Sequence, residues 1–272
     1  MKRHVTPDHG LVHDLKTLRA NRRQMLRWIA GASLLPLVGC ATEDGTGVGP
    51  DAATNGADAD PASCAVIPEE TAGPYPGDGS NGANALSTSG IVRSDITTSF
   101  GGMSGTAAGI PLTVKLTLIN TKTSCAPLAG YAIYAWHCDR AGLYSLYSAG
   151  VTNQNYLRGV QVTDANGTVT FQSIFPACYA GRWPHIHFEN FPSLAVAGSS
   201  SGKIKTSQLA LPKAVCDEVF ATTGYSQSVS NLDRITLASD NVFSDGSGQQ
   251  LASVVGSTSA GYVATLNVGI SV

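Results

Sequence analysis

Leu112-Thr113-Val114-Lys115-Leu116-Thr117-Leu118 sets an apolar side chain at every second position. That is the period of a strand with one face against a core and the other toward water. Outward from it, Tyr131 to Trp136 reads as a second strand, entered through Pro127-Leu128-Ala129-Gly130. Val160–Thr163 and Thr168–Phe171 flank Asp164-Ala165-Asn166-Gly167, whose Asn-Gly pair supplies the positive φ values of a tight hairpin. Pro184 to Phe188, Ile204 to Leu211, Gln250 to Val255 and Tyr262 to Ile270 read as further strands, and one short helix is expected from Leu211-Pro212 to Ala221. Short strands with turn signals between them predict an all-β fold: an antiparallel β-sandwich with one short helix, spanning residues 63–272.

The 272 residues are 43% hydrophobic and 13% charged, which suits a lightly charged globular domain with a real core. Residues 1–40 read as a leader. Arg22-Arg23 precedes an apolar run from Trp28 to Val38, which is short of the roughly 20 residues a bilayer span needs but suits a signal segment. The paired arginines resemble a twin-arginine export signal, and Leu37-Val38-Gly39-Cys40 resembles a bacterial lipobox. The resemblance implies an exported protein of the cell envelope that meets the membrane only through a lipid on Cys40. Residues 41–62, rich in Gly, Ala, Asp and Thr without apolar period, read as a flexible linker.

The remaining domain holds 12 acidic and ten basic residues, which speaks against a nucleic-acid partner, since that needs a basic surface. Cys64, Cys125, Cys138, Cys178 and Cys216 follow the anchor position. An exported chain keeps disulfides, but the odd count leaves at least one thiol free or paired between chains. Their connectivity stays open, and no C-x-x-C spacing points to metal ligation by cysteine.

After the leader, histidine occurs only as His137, His185 and His187. In His185-Ile186-His187 the two imidazoles share one face of a strand and can reach one metal ion. Alone, that spacing leaves a structural pair equally open. Its surroundings carry more: Pro176-Ala177-Cys178-Tyr179-Ala180-Gly181-Arg182-Trp183-Pro184-His185-Ile186-His187-Phe188 and, upstream, Trp136-His137-Cys138-Asp139-Arg140-Ala141-Gly142-Leu143-Tyr144-Ser145. These segments resemble the intradiol ring-cleavage dioxygenases, the family acting on protocatechuate, catechol and hydroxyquinol. Pro68-Glu69-Glu70-Thr71-Ala72-Gly73-Pro74-Tyr75, Arg93-Ser94-Asp95-Ile96, Leu157-Arg158-Gly159-Val160-Gln161-Val162-Thr163-Asp164 and Ser207-Gln208-Leu209 extend the resemblance, in order, from Pro68 to Leu211.

The resemblance implies a non-haem Fe(III) site held by Tyr144, Tyr179, His185 and His187, with O2 and a catechol-type aromatic as partners. Hard phenolate oxygens and imidazole suit ferric iron, whereas soft thiolates do not, so Cys138 and Cys178 read as structural. Tyr179 matches the ligand that departs when substrate binds and takes up its proton. Arg182 matches the group that meets negative charge developing on the ring, and Gln208 a polar neighbour of the substrate. The implied product is a muconate-type diacid. The helical segment through which catechol-specific members dimerise has no counterpart here, so oligomeric state and the particular catechol stay open. Two rivals are a zinc hydrolase or hydratase built on His137, His185 and His187 and a non-catalytic binding module on the same fold. The zinc reading leaves Tyr144, Tyr179 and Arg182 without roles, and His137 itself reads as a hydrogen-bonded structural residue.

Overall fold

A computed structural model describes residues 64–272. The leader, the anchor at Cys40 and the linker over 41–62 lie outside the described residues. Two sheets face each other. The first is built on β1 (Pro111–Asn120), which pairs in parallel with β9 (Gly261–Ile270). Its other edge takes β5 (Thr168–Ile174) and the two-residue β2 (Ala126–Pro127), both antiparallel, while β8 (Ser253–Ser257) adds to β9. The second sheet is antiparallel throughout, in the order β4 (Arg158–Val162), β3 (Ala132–Trp136), β6 (His185–Phe191), β7 (Lys205–Ala210).

The all-β sandwich expected from the alternation is present, with three differences. First, Val160–Thr163 and Thr168–Phe171 do not form a hairpin, because the Asn-Gly turn hands the chain from one sheet to the other. The carbonyl of Gly167, a residue at φ +73°, accepts from the Leu118 amide at 2.8 Å, which draws β5 onto β1. Before the turn, the Thr163 amide donates to the Tyr131 carbonyl at 2.8 Å, which holds β4 on β3. Second, two helices follow β7, α1 (Lys213–Phe220) and α2 (Ser226–Leu232). Ser-Gln-Ser-Val-Ser-Asn-Leu has weak helix propensity, and α2 is held by docking: Ser228 Oγ accepts from the Cys178 amide at 3.0 Å and Asn231 Nδ2 donates to the Cys178 carbonyl at 2.8 Å. Third, the β1–β9 pairing is parallel, not antiparallel.

Alternation splits the interior into two layers. Leu112, Val114, Leu116, Ile133, Ile186 and Phe188 meet between the sheets. Tyr134, Trp136, Tyr144, Val160 and Phe191 form a separate cluster on the outer face of the second sheet. β3 and β6 are therefore buried on both faces, and Ala-Ile-Tyr-Ala-Trp reads as a continuous apolar run, as doubly covered strands do. Cys64 and Cys125 form a disulfide; Cys138, Cys178 and Cys216 are free and buried.

Register then sets a row across the second sheet. Arg158 pairs with Trp136, Trp136 with His187, and His187 with Gln208. Arg158, 1% exposed, spends its guanidinium on neutral acceptors: the carbonyls of Pro76 (2.7 Å), Tyr75 (3.0 Å) and Ser145 (2.9 Å), Ser145 Oγ (3.1 Å) and the Tyr134 hydroxyl (3.1 Å). It thereby ties the segment around Tyr75 and the loop of Tyr144 to the sheet. Arg158→Met should lower the unfolding free energy by about 3 kcal/mol or more, since each buried acceptor left unpaired costs about 1–3 kcal/mol. Chemical denaturation measures this, and a loss below about 1 kcal/mol would contradict the clamp.

Candidate metal centre

His185 and His187 leave the same face of β6 and are 2% and 3% exposed. Tyr144 arrives from the β3–β4 connection and Tyr179 from the β5–β6 connection. Asp139 shapes the first loop: Oδ1 accepts from the amides of Ala141 (2.9 Å) and Leu143 (3.0 Å), and Oδ2 from the Tyr156 hydroxyl (3.1 Å). Gly142, at φ +82°, brings the loops together, since a Cβ there would stand 3.1 Å from Cβ of Tyr179. The ring of Tyr75 covers that of Tyr144 at 5.0 Å.

The four polar ends converge. The two Nε2 atoms are 3.0 Å apart. The Tyr144 hydroxyl is 3.3 Å from Nε2 of His187 and 3.5 Å from Nε2 of His185. The Tyr179 hydroxyl is 3.3 Å from Nε2 of His185 and 3.5 Å from the Tyr144 hydroxyl. Donors bound at about 2.0–2.1 Å to one ion stand roughly 2.8–3.4 Å apart, from right-angle to tetrahedral arrangements. The spacing therefore suits a single cation.

Tautomer and charge agree with that use. Nδ1 of His185 lies 2.5 Å from the Trp183 carbonyl, which only accepts, so Nδ1 carries the proton and Nε2 presents its lone pair. The His187 ring stacks on Trp136 at 4.8 Å and 6°. Burial, then Arg182, pushes His185 down to about 3, and burial, then His185, holds His187 well below its ordinary value, so both rings are neutral at pH 7. Burial, then Tyr179, raises the Tyr144 phenol well above 10, so only an opposing cation would ionise it. Cation uptake should then release at least the Tyr144 proton and tighten about tenfold per pH unit across the neutral range. Metal-binding titrations at pH 6, 7 and 8 measure the slope; affinity independent of pH would show that no phenol ionises.

Among the described residues, no group of three or more His, Cys, Asp or Glu side chains is placed to hold a metal, so a cation here draws on the tyrosines. The three histidines of the zinc reading do not assemble. His137 has both ring nitrogens engaged, Nδ1 with the Cys138 carbonyl and Nε2 with Ser173 Oγ, each at 2.7 Å. Its burial pushes it down to about 4. Cys178 points its thiol at the Arg182 carbonyl (3.4 Å), and burial pushes it up to about 12, outside the range of a reactive thiolate.

Arg182 and Gln208 adjoin the donor set. Arg182, 5% exposed, donates from Nη2 to Gln208 Oε1 at 2.6 Å and from Nε to Asp240 Oδ2 at 3.0 Å. Gln208 Nε2 donates in turn to the Thr71 carbonyl at 2.9 Å. Burial opposes the guanidinium's charge, but Tyr179, Asp240 and Tyr144 outweigh it and hold its pKa above the ordinary value. Asp240 is the functional residue that sequence reasoning missed. Fully buried, it also accepts from the amides of Trp183 (2.6 Å), Val242 (2.8 Å) and Phe243 (3.2 Å). It lies 58 positions beyond Arg182 in the chain, in a turn with no strand or helix period to mark it.

The chain is similar to known dioxygenases. Residues 88–195 match the family model described as Dioxygenase, a stretch holding Tyr144, Tyr179, Arg182, His185 and His187 but not Gln208 or Asp240. An intradiol ring-cleavage dioxygenase from Tetranychus urticae is similar in structure, with a TM-score of 0.61 and 27% identity over 76% of this chain and 95% of that one. A chlorocatechol 1,2-dioxygenase from Rhodococcus opacus is 39% identical over 57 residues, which cover 21% of this chain and 22% of that relative's length. The dioxygenase domain of a carbohydrate-binding fusion protein from Streptomyces sp. SirexAA-E resembles it at 23% identity over 76% of this chain and 99% of that one, with a TM-score of 0.49.

Proposed function

We propose, from the chain's similarity to intradiol ring-cleavage dioxygenases, that it opens a catechol-type ring between its two hydroxyl-bearing carbons, with both atoms of O2 entering a muconate-type diacid. The observation that carries this reading is the convergence of two phenol oxygens and two imidazole Nε2 atoms at 3.0–3.5 Å. Tyr144, Tyr179, His185 and His187 would hold ferric iron, a match of hard anionic oxygen and imidazole donors to a hard trivalent ion. Iron, when bound, supplies a Lewis acid that draws both catechol oxygens toward their ionised form.

The chain's own groups do the rest. The Tyr179 phenolate accepts a proton from a catechol hydroxyl at its own oxygen, as a general base within hydrogen-bond reach. Arg182 presents fixed positive charge beside the ring as negative charge builds on it, and needs no rearrangement at that moment. Gln208 and Asp240 keep the guanidinium plane in place from two sides. The Tyr75 ring lies over that of Tyr144 and covers that side of the donor set.

The test is the visible spectrum of metal-analysed protein. Tyrosinate-to-iron charge transfer should colour the iron-loaded protein red-brown, and a colourless protein with one iron per chain would overturn the assignment of the phenol ligands. We also propose export with a lipid at Cys40. The Arg22-Arg23 pair, the lipobox-like Leu37-Val38-Gly39-Cys40 and the Cys64–Cys125 disulfide support it. Cys40→Ser should abolish lipid labelling, and normal membrane attachment of that variant would refute the anchor.

A further inference from the structure

Asp240 lies in the loop after α2, and its carboxylate takes four N–H donors in two pairs. Oδ2 accepts from Arg182 Nε at 3.0 Å and from the Trp183 amide at 2.6 Å. Oδ1 accepts from the amides of Val242 at 2.8 Å and Phe243 at 3.2 Å. Burial opposes the charge, but Arg182 and the Trp183 amide outweigh it and hold the carboxyl below its ordinary value. A neutral amide in its place could not serve both pairs, because it has one oxygen and its nitrogen only donates.

Two lines lead from this carboxylate to His185. Trp183, whose amide is held by Oδ2, accepts the His185 Nδ1 proton at its carbonyl at 2.5 Å. The Trp183 indole donates to the Leu211 carbonyl at 2.8 Å, and the Leu211 amide donates to the Pro184 carbonyl at 3.1 Å, so this stretch is pinned just past the end of β7. Phe243, whose amide is held by Oδ1, sets its buried ring against that of His185, with centroids 6.5 Å apart and planes at 66°. A third line runs through the Arg182 guanidinium to Gln208 Oε1 at 2.6 Å. One side chain with no atom among the four converging donors thus touches what holds a donor ring and what holds the neighbouring charge.

Resting on the function proposed above, we infer that Asp240 is a positioning residue with two outputs: it fixes Arg182 for the chemical step and fixes His185 as a ligand, so that guanidinium and imidazole keep one alignment. Loss of such outer partners costs about 10–100-fold in metal affinity or activity.

The experiment uses the iron-loaded full chain as wild type, Asp240→Asn, Arg182→Ala and the double variant. Three quantities are measured: kcat and KM for catechol, the position of the visible band, and the rate of iron loss to excess chelator. Asp240→Asn should lower kcat about tenfold or more with a smaller change in KM, shift the band and speed iron loss about tenfold. Arg182→Ala should lower kcat and leave the band and iron loss as in the wild type. In the double variant the two kcat losses should fall well short of multiplying, since both act through one guanidinium, while the band shift and faster iron loss persist. The double variant also removes the carboxylate that Arg182→Ala leaves buried without its cation, so it reads the His185 output even where Asp240→Asn alone folds poorly. A band and iron loss unchanged by Asp240→Asn in both backgrounds, or kcat losses that multiply in full, would overturn the inference. A wild type that binds iron but cleaves no catechol would count against the proposed reaction, and the band and iron-loss comparison would still decide whether Asp240 positions His185.

Discussion

Arg182→Ala should lower kcat by about 10²–10³-fold, the usual loss when one preorganised charge donor is removed. Iron content, colour and most of the catechol affinity should survive, because Arg182 is no member of the donor set. Its Nε and Nη2 are fixed by Asp240 and Gln208, which hold the guanidinium beside the donor set. Arg182→Lys should recover only part of the rate, since an ammonium cannot bridge Asp240 and Gln208 while offering a third donor. Steady-state kcat at saturating catechol, beside an anaerobic titration of the visible band, makes the comparison. A saturated rate equal to the wild type would reassign Arg182 to binding or to structure.

Tyr144→Phe should be as damaging by a different route. The Tyr144 hydroxyl stands within 3.5 Å of all three other donors, as Nε2 of His185 also does, so its loss opens the set. Phenylalanine keeps the ring that packs beneath Tyr75, so folding should change little. Iron affinity should fall by more than the 10–100-fold that loss of an outer supporting partner costs, and the visible band should lose intensity or shift. His137→Ala should do the opposite: it removes buried hydrogen bonds to Cys138 and Ser173 and costs stability, yet iron stays. Metal lost from His137→Ala and retained by Tyr144→Phe would return the zinc reading.

Much of this was legible because chemistry clusters where the chain is periodic. Leu112–Leu118 alternates since one face of β1 packs inward and the other is open. The i, i+2 spacing of His185 and His187 needs only that β6 be a strand. What stayed hidden depends on contacts far apart in sequence. The Asn166-Gly167 turn has hairpin chemistry, but its two arms are claimed by different sheets, by β1 on one side and β3 on the other. The parallel closure of β9 on β1 joins residues some 150 positions apart, and no local pattern encodes it. Asp240 acts only through its backbone turn, Arg182 and the Trp183 amide, so it does not show in spacing or composition.

The central claim is intradiol cleavage, and isotope labelling of the product tests it most directly. Iron-loaded protein is given catechol under 18O2, and the product is analysed by mass spectrometry against O2 consumed. The account predicts one O2 per ring, both labelled atoms in a single six-carbon diacid, and no aldehyde. An aldehyde-acid from cleavage beside the hydroxyls, or a quinone carrying no label, would contradict it.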